Sequence, residues 1–167
     1  MSIFRDFLQT AVLTLVIFLA VRTGVQNFRV EGRSMEPNLH NGQYILVNKV
    51  DYMLDRPERG DIIVFRATPA GQPDRDYIKR VIGLPGETVA VHNGAVYINH
   101  HRLAERYILS PPAYTYTART VPPNSYFVLG DNRNESADSH VWNWLPRSDI
   151  IGKAWISYWP PEAFHLY

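Results

Sequence analysis

The 167-residue chain has no cysteine, which excludes disulfides, thiolate metal sites and a cysteine nucleophile. It has no surplus of either charge. A net charge of +1 provides no field for a polyanion, so no nucleic-acid partner is expected. Neither an HExxH pair nor a GxSxG elbow occurs, and the histidines at 40, 92, 100, 101, 140 and 165 fall at loop-like places. No metal and no cofactor is expected from them. Beyond the first 28 residues no 12-residue stretch keeps a helical period. What the chain does have is apolar material: 46% hydrophobic residues and 13% aromatics, enough for a real core. Its 12 prolines and 10 glycines come at short intervals, the punctuation of a sheet protein.

The first 27 residues stand apart. Phe7 to Val21 is an uncharged run of 15, and Arg22 closes it. Spanning a bilayer takes about 20 helical residues, and continuing to Val25 gives 19, because an arginine near a helix end can reach the headgroups. A buried core helix would need a polar stripe, for which only Gln9, Thr10 and Thr14 are at hand. A cleavable secretory signal would end in a small-x-small site, but Phe18 and Arg22 flank Ala20. The segment is therefore expected to be a membrane anchor. Charge does not orient it. Arg5 and Asp6 lie on one side and Arg22, Arg29 and Arg33 on the other, while long domains translocate largely regardless of such counts.

Residues 28–167 are expected to be mainly β. Strands are predicted at 43–50, 61–66, 77–82, 88–91, 95–98, 126–129 and 153–159, with Gly83-Leu84-Pro85-Gly86 as a turn. Asn93-Gly94 between two apolar runs predicts a type I′ hairpin. The fold class expected is a curled, barrel-like antiparallel sheet behind the helix. The stretch from about 100 to 123, with its proline pairs and alternating Tyr and Thr, is expected to be a loop-rich insertion.

Three segments carry candidate chemistry. Ser34 lies in Gly32-Arg33-Ser34-Met35-Glu36-Pro37, and Lys79 lies in Asp76-Tyr77-Ile78-Lys79-Arg80-Val81. A serine hydroxyl is a weak nucleophile without a base, and a lysine serves as base only when burial or a nearby cation strips its proton. In a strand Tyr77, Lys79 and Val81 share a face, so the amine has apolar company. Taken alone, a strand lysine more often extends to solvent. The third segment, Gly130 to His140, is a polar loop at the end of an apolar strand. Such loops build sites on rigid scaffolds but are also ordinary solvated turns.

Taken together and in this order, the anchor, Ser34-Met35-Glu36-Pro37-Asn38-Leu39, the Tyr44 to Tyr52 strand, Arg59 to Phe65, Asp76 to Glu87 and Gly130 to Ser139 resemble the bacterial type I signal peptidases. These are Ser-Lys proteases that release secreted proteins from their membrane-bound leaders. The resemblance implies Ser34 as nucleophile, Lys79 as general base, Ser136 bonded to the lysine amine, and Asp138 paired with Arg80. It implies an oxyanion site at the Ser34 backbone N–H. Family members often add a serine hydroxyl two positions earlier, where this chain has Gly32, and they usually carry arginine where it has His140. For substrate, shallow pockets taking alanine are implied. Phe28, Val30, Ile45, Val64 and Ile78 would line one, while Met35, Leu39 and Tyr77 would border the other.

The partners implied are signal-peptide-bearing precursors and the lipid bilayer, without an obligate protein partner. The location implied is a single-pass plasma-membrane protein with residues 28–167 as an extracytoplasmic catalytic domain. Trp142, Trp144 or Trp159 would touch the lipid interface or else pack in the core. The rival readings are an autoproteolytic repressor of the same fold, which would need a helical DNA-binding domain ahead of the protease where this chain has an apolar anchor, and a membrane-tethered binding module without activity.

Overall fold

The computed structural model describes residues 2–67 and 75–167. The chain starts as helix α1 (Ser2–Gly24), whose large apolar side chains are bare: Phe7, Leu13, Val16 and Phe18 are all more than half exposed. Within Ile3–Gly24 the most apolar 18-residue window has a mean hydropathy of 1.8, and none of it is buried against the rest of the protein. It is long and apolar enough to cross a membrane.

The helix runs straight into strand β1 (Val25–Arg29), which pairs antiparallel with β2 (Tyr44–Asn48) from Val25 against Asn48 to Arg29 against Tyr44. Residues 25–27, assigned from sequence to the anchor, therefore belong to the sheet. Lys49 N–H donates to the Gly24 carbonyl and ties the helix end to that sheet.

In chain order the remaining elements are α2 (Asp51–Leu54), β3 (Ile62–Ala67), β4 (Arg75–Gly83), β5 (Thr88–His92), β6 (Ala95–Ile98), β7 (His101–Arg102), β8 (Tyr116–Thr120), β9 (Ser125–Leu129), α3 (Ser139–Trp142), β10 (Leu145–Pro146), β11 (Ile150–Trp159) and β12 (His165–Leu166). A large antiparallel sheet runs β1-β2-β11-β3-β4-β9-β10, with β12 added beside β11. A smaller one runs β7-β6-β5-β8. Register shifts in β11 between Ala154 and Ile156 and between Ser157 and Trp159 supply local curl. The curled antiparallel sheet expected behind the helix is present, as two open sheets that do not close into a barrel among the described residues.

The Asn93-Gly94 turn is as predicted, with φ of 50° and 69° at the two positions, the pair of positive values a type I′ hairpin demands. The stretch expected to be a loop-rich insertion supplies β7 and β8 to the small sheet. Its middle, 103–115, and its last residues, 121–123, stay irregular. Three apolar clusters hold the body together. One, around Val30, Met35, Leu39, Ile45, Val64 and Ile78, lies under the Ser34 loop. A second joins Ile82, Phe127 and Leu129 to the small sheet, and a third groups Ile63, Phe65, Val81 and Val128.

Candidate active site

Ser34 sits on the connection between β1 and β2. Two backbone bonds pin the ends of that connection, Val30 N–H to Gln43 O at 2.8 Å and Gly42 N–H to Val30 O at 2.8 Å. Between them Met35 and Leu39 drop into the core, and a tight turn forms as Asn38 N–H and Leu39 N–H both donate to Met35 O. The apolar residues on either side of the serine thus anchor its loop, leaving the hydroxyl half-buried at the surface.

Lys79 comes from β4, opposite Ile63 of β3, and is only 4% exposed. Its Nζ lies 2.7 Å from Ser34 Oγ and donates to the Ile78 carbonyl at 2.9 Å. Burial drives the amine's pKa down to about 8. The carboxylates of Asp138 and Asp131 pull the other way, while Arg75 assists the lowering.

The third element is the 130–139 loop behind both groups. Asn132 clamps the serine loop twice: its N–H donates to Ser34 O at 3.0 Å and its side-chain amide to Arg33 O at 3.2 Å. Gly130 lies so close that a Cβ there would overlap the Ser34 carbonyl oxygen and the Ser136 hydroxyl. The Ser136 hydroxyl is buried with no hydrogen-bond partner among the described residues. The expected bond from Ser136 to the lysine amine is therefore not formed here. The amine is directed to the Ile78 carbonyl instead.

The expected Asp138–Arg80 pair is also corrected. Arg80 grips Asp131 with two bonds of 2.8 and 2.6 Å and donates to Gly60 O at 2.8 Å. Asp138 turns the other way, accepting from Gly130 N–H at 2.9 Å and meeting His140 Nδ1 at 2.6 Å. It caps the start of α3, accepting from His140 N–H at 3.2 Å, and this fixes its direction away from Arg80.

Asp131 is the hub that sequence reasoning missed. Besides Arg80 it accepts from Asn38 Nδ2 at 2.8 Å, so one buried carboxylate joins β4 to the Ser34 loop. The 103–115 loop straps the arrangement down. Glu105 forms a buried ion pair with Arg133, Tyr107 O accepts from Asn38, and Tyr107 lies 4.2 Å under the Arg80 guanidinium. The only sequence signal for this set was the density of Asp, Asn and Arg after β9.

A cleft of about 190 Å³ opens at the serine, lined by Phe28, Gly32, Ser34, Tyr77, Ile78 and Lys79 among others. It adjoins a second hollow of about 470 Å³ that shares Phe28 and runs along β1 to Gln26. Of the apolar residues assigned to substrate, Phe28, Tyr77 and Ile78 line this cleft. Val30, Met35, Leu39, Ile45 and Val64 do not, being buried in the cluster beneath it. A larger cavity of about 920 Å³ lies beyond the serine loop, between residues 37–43 and the 160–167 tail, and touches neither Ser34 nor Lys79. Among the described residues no group of three or more His, Asp or Glu is placed to hold a metal ion.

The family model "Signal peptidase, peptidase S26" matches residues 4–159. The chain belongs to that family. It is 46% identical over 159 residues to the signal peptidase I of Leptolyngbya laminosa, covering 92% of this chain and 78% of that one. A probable signal peptidase I-2 of Synechocystis is 43% identical over 156 residues, 91% of this chain and 72% of its own length. The crystal structure of a signal peptidase I from Enterococcus faecalis matches with a TM-score of 0.52 at 32% identity, covering 59% of this chain and 97% of that one. Membership makes the chain a peptidase, and the Ser34–Lys79 contact falls inside the matched region.

Proposed function

We propose that this protein is a membrane-anchored serine endopeptidase that cuts signal peptides from secreted precursors, with Ser34 as nucleophile and Lys79 as general base. The observation that carries the reading is the 2.7 Å contact between a serine hydroxyl and a buried amine whose pKa is lowered to about 8. The neutral amine takes the Ser34 proton as Oγ attacks the scissile carbonyl. The Ser34 N–H receives the developing oxyanion. The lysine ammonium then gives that proton to the departing amine, and water hydrolyses the acyl-serine by the same route in reverse. Ser136, whose buried hydroxyl has no partner among the described residues, takes up the lysine amine when the serine is acylated. Arg80 and Asp131 hold β4 and the serine loop in place, and Asp138 holds the 130–139 loop.

The leader lies as an extended strand in the cleft, with β1, the end strand of its sheet, on one side and the first half of β4 on the other. The buried apolar cluster beneath sets the depth of the alanine pockets, so large side chains are rejected by overlap. The purified full-length protein in detergent should cut a precursor whose leader ends in Ala-x-Ala directly after the last alanine. Cleavage by a Ser34→Ala protein at the same rate would end this reading.

Helix α1 anchors the chain, with the body on the outer side of the plasma membrane where leaders emerge. Trp159 and Trp155, exposed at 54% and 46% on β11, and Phe164 and Leu166 beside it supply the face that meets lipid. Trp142 and Trp144 do not, since they pack on Phe65 and Phe127 in the core. Protease added to cells whose outer surface has been made accessible, with the membrane intact, should digest residues 28–167. Protection of that body until the membrane is opened would reverse the orientation.

A further inference from the structure

We propose that Arg75, set against Glu31 across the mouth of the cleft, is a specificity-determining residue. It favours leaders with an acidic residue, and opposes a basic one, at roughly the fifth position before the cut. This rests on the Ser-Lys reading above.

The two walls of the cleft come from different parts of the chain. Glu31 follows β1 on the connection that carries Ser34, and Arg75 opens β4. Their side chains meet at 3.9 Å, so the pair joins the two walls. Both residues line the cleft at the serine and also the hollow beside it. An extended chain passing from the hollow to Ser34 therefore runs past this pair.

The direction of the leader follows from the anchor. Helix α1 leads into β1 at Val25, and the hollow reaches Gln26, the next residue. A leader drawn from the bilayer beside α1 thus enters at the hollow and runs toward Ser34, parallel to β1 and β4. Arg75 precedes Lys79 by four residues, about 13 Å of strand, and Arg75, Tyr77 and Lys79 alternate onto one face. With the last leader residue at Lys79, the residue four places upstream lies at Arg75.

The charges facing this stretch are unevenly matched. Arg66 donates to Asp76 at 2.9 Å, so each answers the other. Arg29 lies 6.0 Å over the Tyr44 ring. Arg75 has the Tyr77 ring at 5.2 Å and Glu31 at a distance long for an ion pair, with both side chains more than half exposed. Such a pair is weak, and a carboxylate on the leader competes for the guanidinium at little cost. A lysine in the same place is repelled. Arg75 also assists the lowering of the Lys79 pKa, which sets this cation within electrostatic reach of the reacting end of the leader.

The test is kcat/KM, with the full-length protein in detergent, on precursors that differ only in Glu, Gln or Lys at that position. The parent should cut the Glu leader about three- to tenfold better than the Lys leader, through KM rather than kcat. Arg75→Gln should bring the ratio close to one, and Arg75→Glu should invert it. Glu31→Gln removes the competing carboxylate and should widen the parental ratio about twofold. Any effect of these changes on Lys79 or on folding is common to all the leaders and cancels in the ratio. Raising salt from about 0.05 M to about 0.5 M should shrink the parental ratio, because the pair is open to solvent. A parental ratio near one, or the same ratio in the parent and Arg75→Glu, would overturn the proposal. If that happens while Ser34→Ala is inactive, this inference alone falls. A Ser34→Ala protein that still cuts removes the reading beneath it.

Discussion

Replacing Lys79 by methionine is expected to abolish peptide cleavage, by about a thousandfold or more, while making the fold more stable at neutral pH. Both effects have one cause. The amine is 4% exposed, and its burial costs enough to bring its pKa from 10.5 in the unfolded chain to about 8 in the folded one. Below pH 8 both states hold the proton and the penalty stands in full. Between 8 and 10.5 the folded state has released the proton and the unfolded state has not, so the penalty shrinks as pH rises, and above 10.5 it is gone.

A shift of that size corresponds to about 3 kcal/mol, as an order of magnitude. Methionine fills similar space without a charge to desolvate. The methionine protein should therefore gain about that much stability at pH 7 and lose its advantage by pH 10.5. Tyr52 and Tyr107, whose pKa values are raised by burial, favour the folded form less above pH 10. They are common to both proteins and cancel in the difference. Urea titrations of the two proteins at pH 7 and pH 10 measure it. A methionine protein less stable than the parent at pH 7 would show that the ammonium is solvated after all. Lys79→Arg should be as inactive as the methionine form, because a guanidinium does not give up its proton near neutrality.

Ser34 and Lys79 are singled out by the resemblance of several segments in order and not by local setting, since a lysine in an apolar strand more often reaches solvent. In the fold the two side chains meet at 2.7 Å. Arg80 shows where legibility stops. The sequence offers it two aspartates in one loop, 131 and 138, and nothing in their spacing chooses between them. The choice is made in three dimensions, where Asp138 caps α3 and accepts from Gly130, leaving Asp131 to face β4. Val30, Ile45 and Val64 fail for another reason. An apolar side chain in a strand suits a pocket wall and a core equally well, and only packing against neighbouring strands separates the two. The tryptophans divide in the same way, 142 and 144 inward and 155 and 159 outward. Strand β8 was missed because, after Tyr116, all four of its residues are exposed, so it carries no alternation to detect.

The Gly130→Ala substitution is expected to cost more activity than any other change of a single methyl group in this protein. The added Cβ would overlap the Ser34 carbonyl oxygen and the Ser136 hydroxyl, and would stand 2.7 Å from Ser136 Cβ. None of these can simply retreat. The Ser34 carbonyl is held by Asn132 N–H at 3.0 Å, Ser136 is buried, and Gly130 itself is fixed by Asp138 and by Arg133 Nε at its carbonyl. The serine loop has to move instead, and a displacement of about 1 Å between nucleophile and base costs on the order of a hundredfold in kcat.

Gly83→Ala makes the comparison. Its Cβ would stand 2.5 Å from Val89 Cγ2 and 3.0 Å from Phe127 Cβ, in the cluster that joins the two sheets. Both variants should lose about 1–3 kcal/mol of stability to overpacking. Only the Gly130 protein should lose kcat per folded molecule, while the Gly83 protein cuts at the parental rate. Equal losses in the two, or a Gly130→Ala protein retaining more than about half the parental kcat, would mean that the 130–139 loop does not set the distance between Ser34 and Lys79.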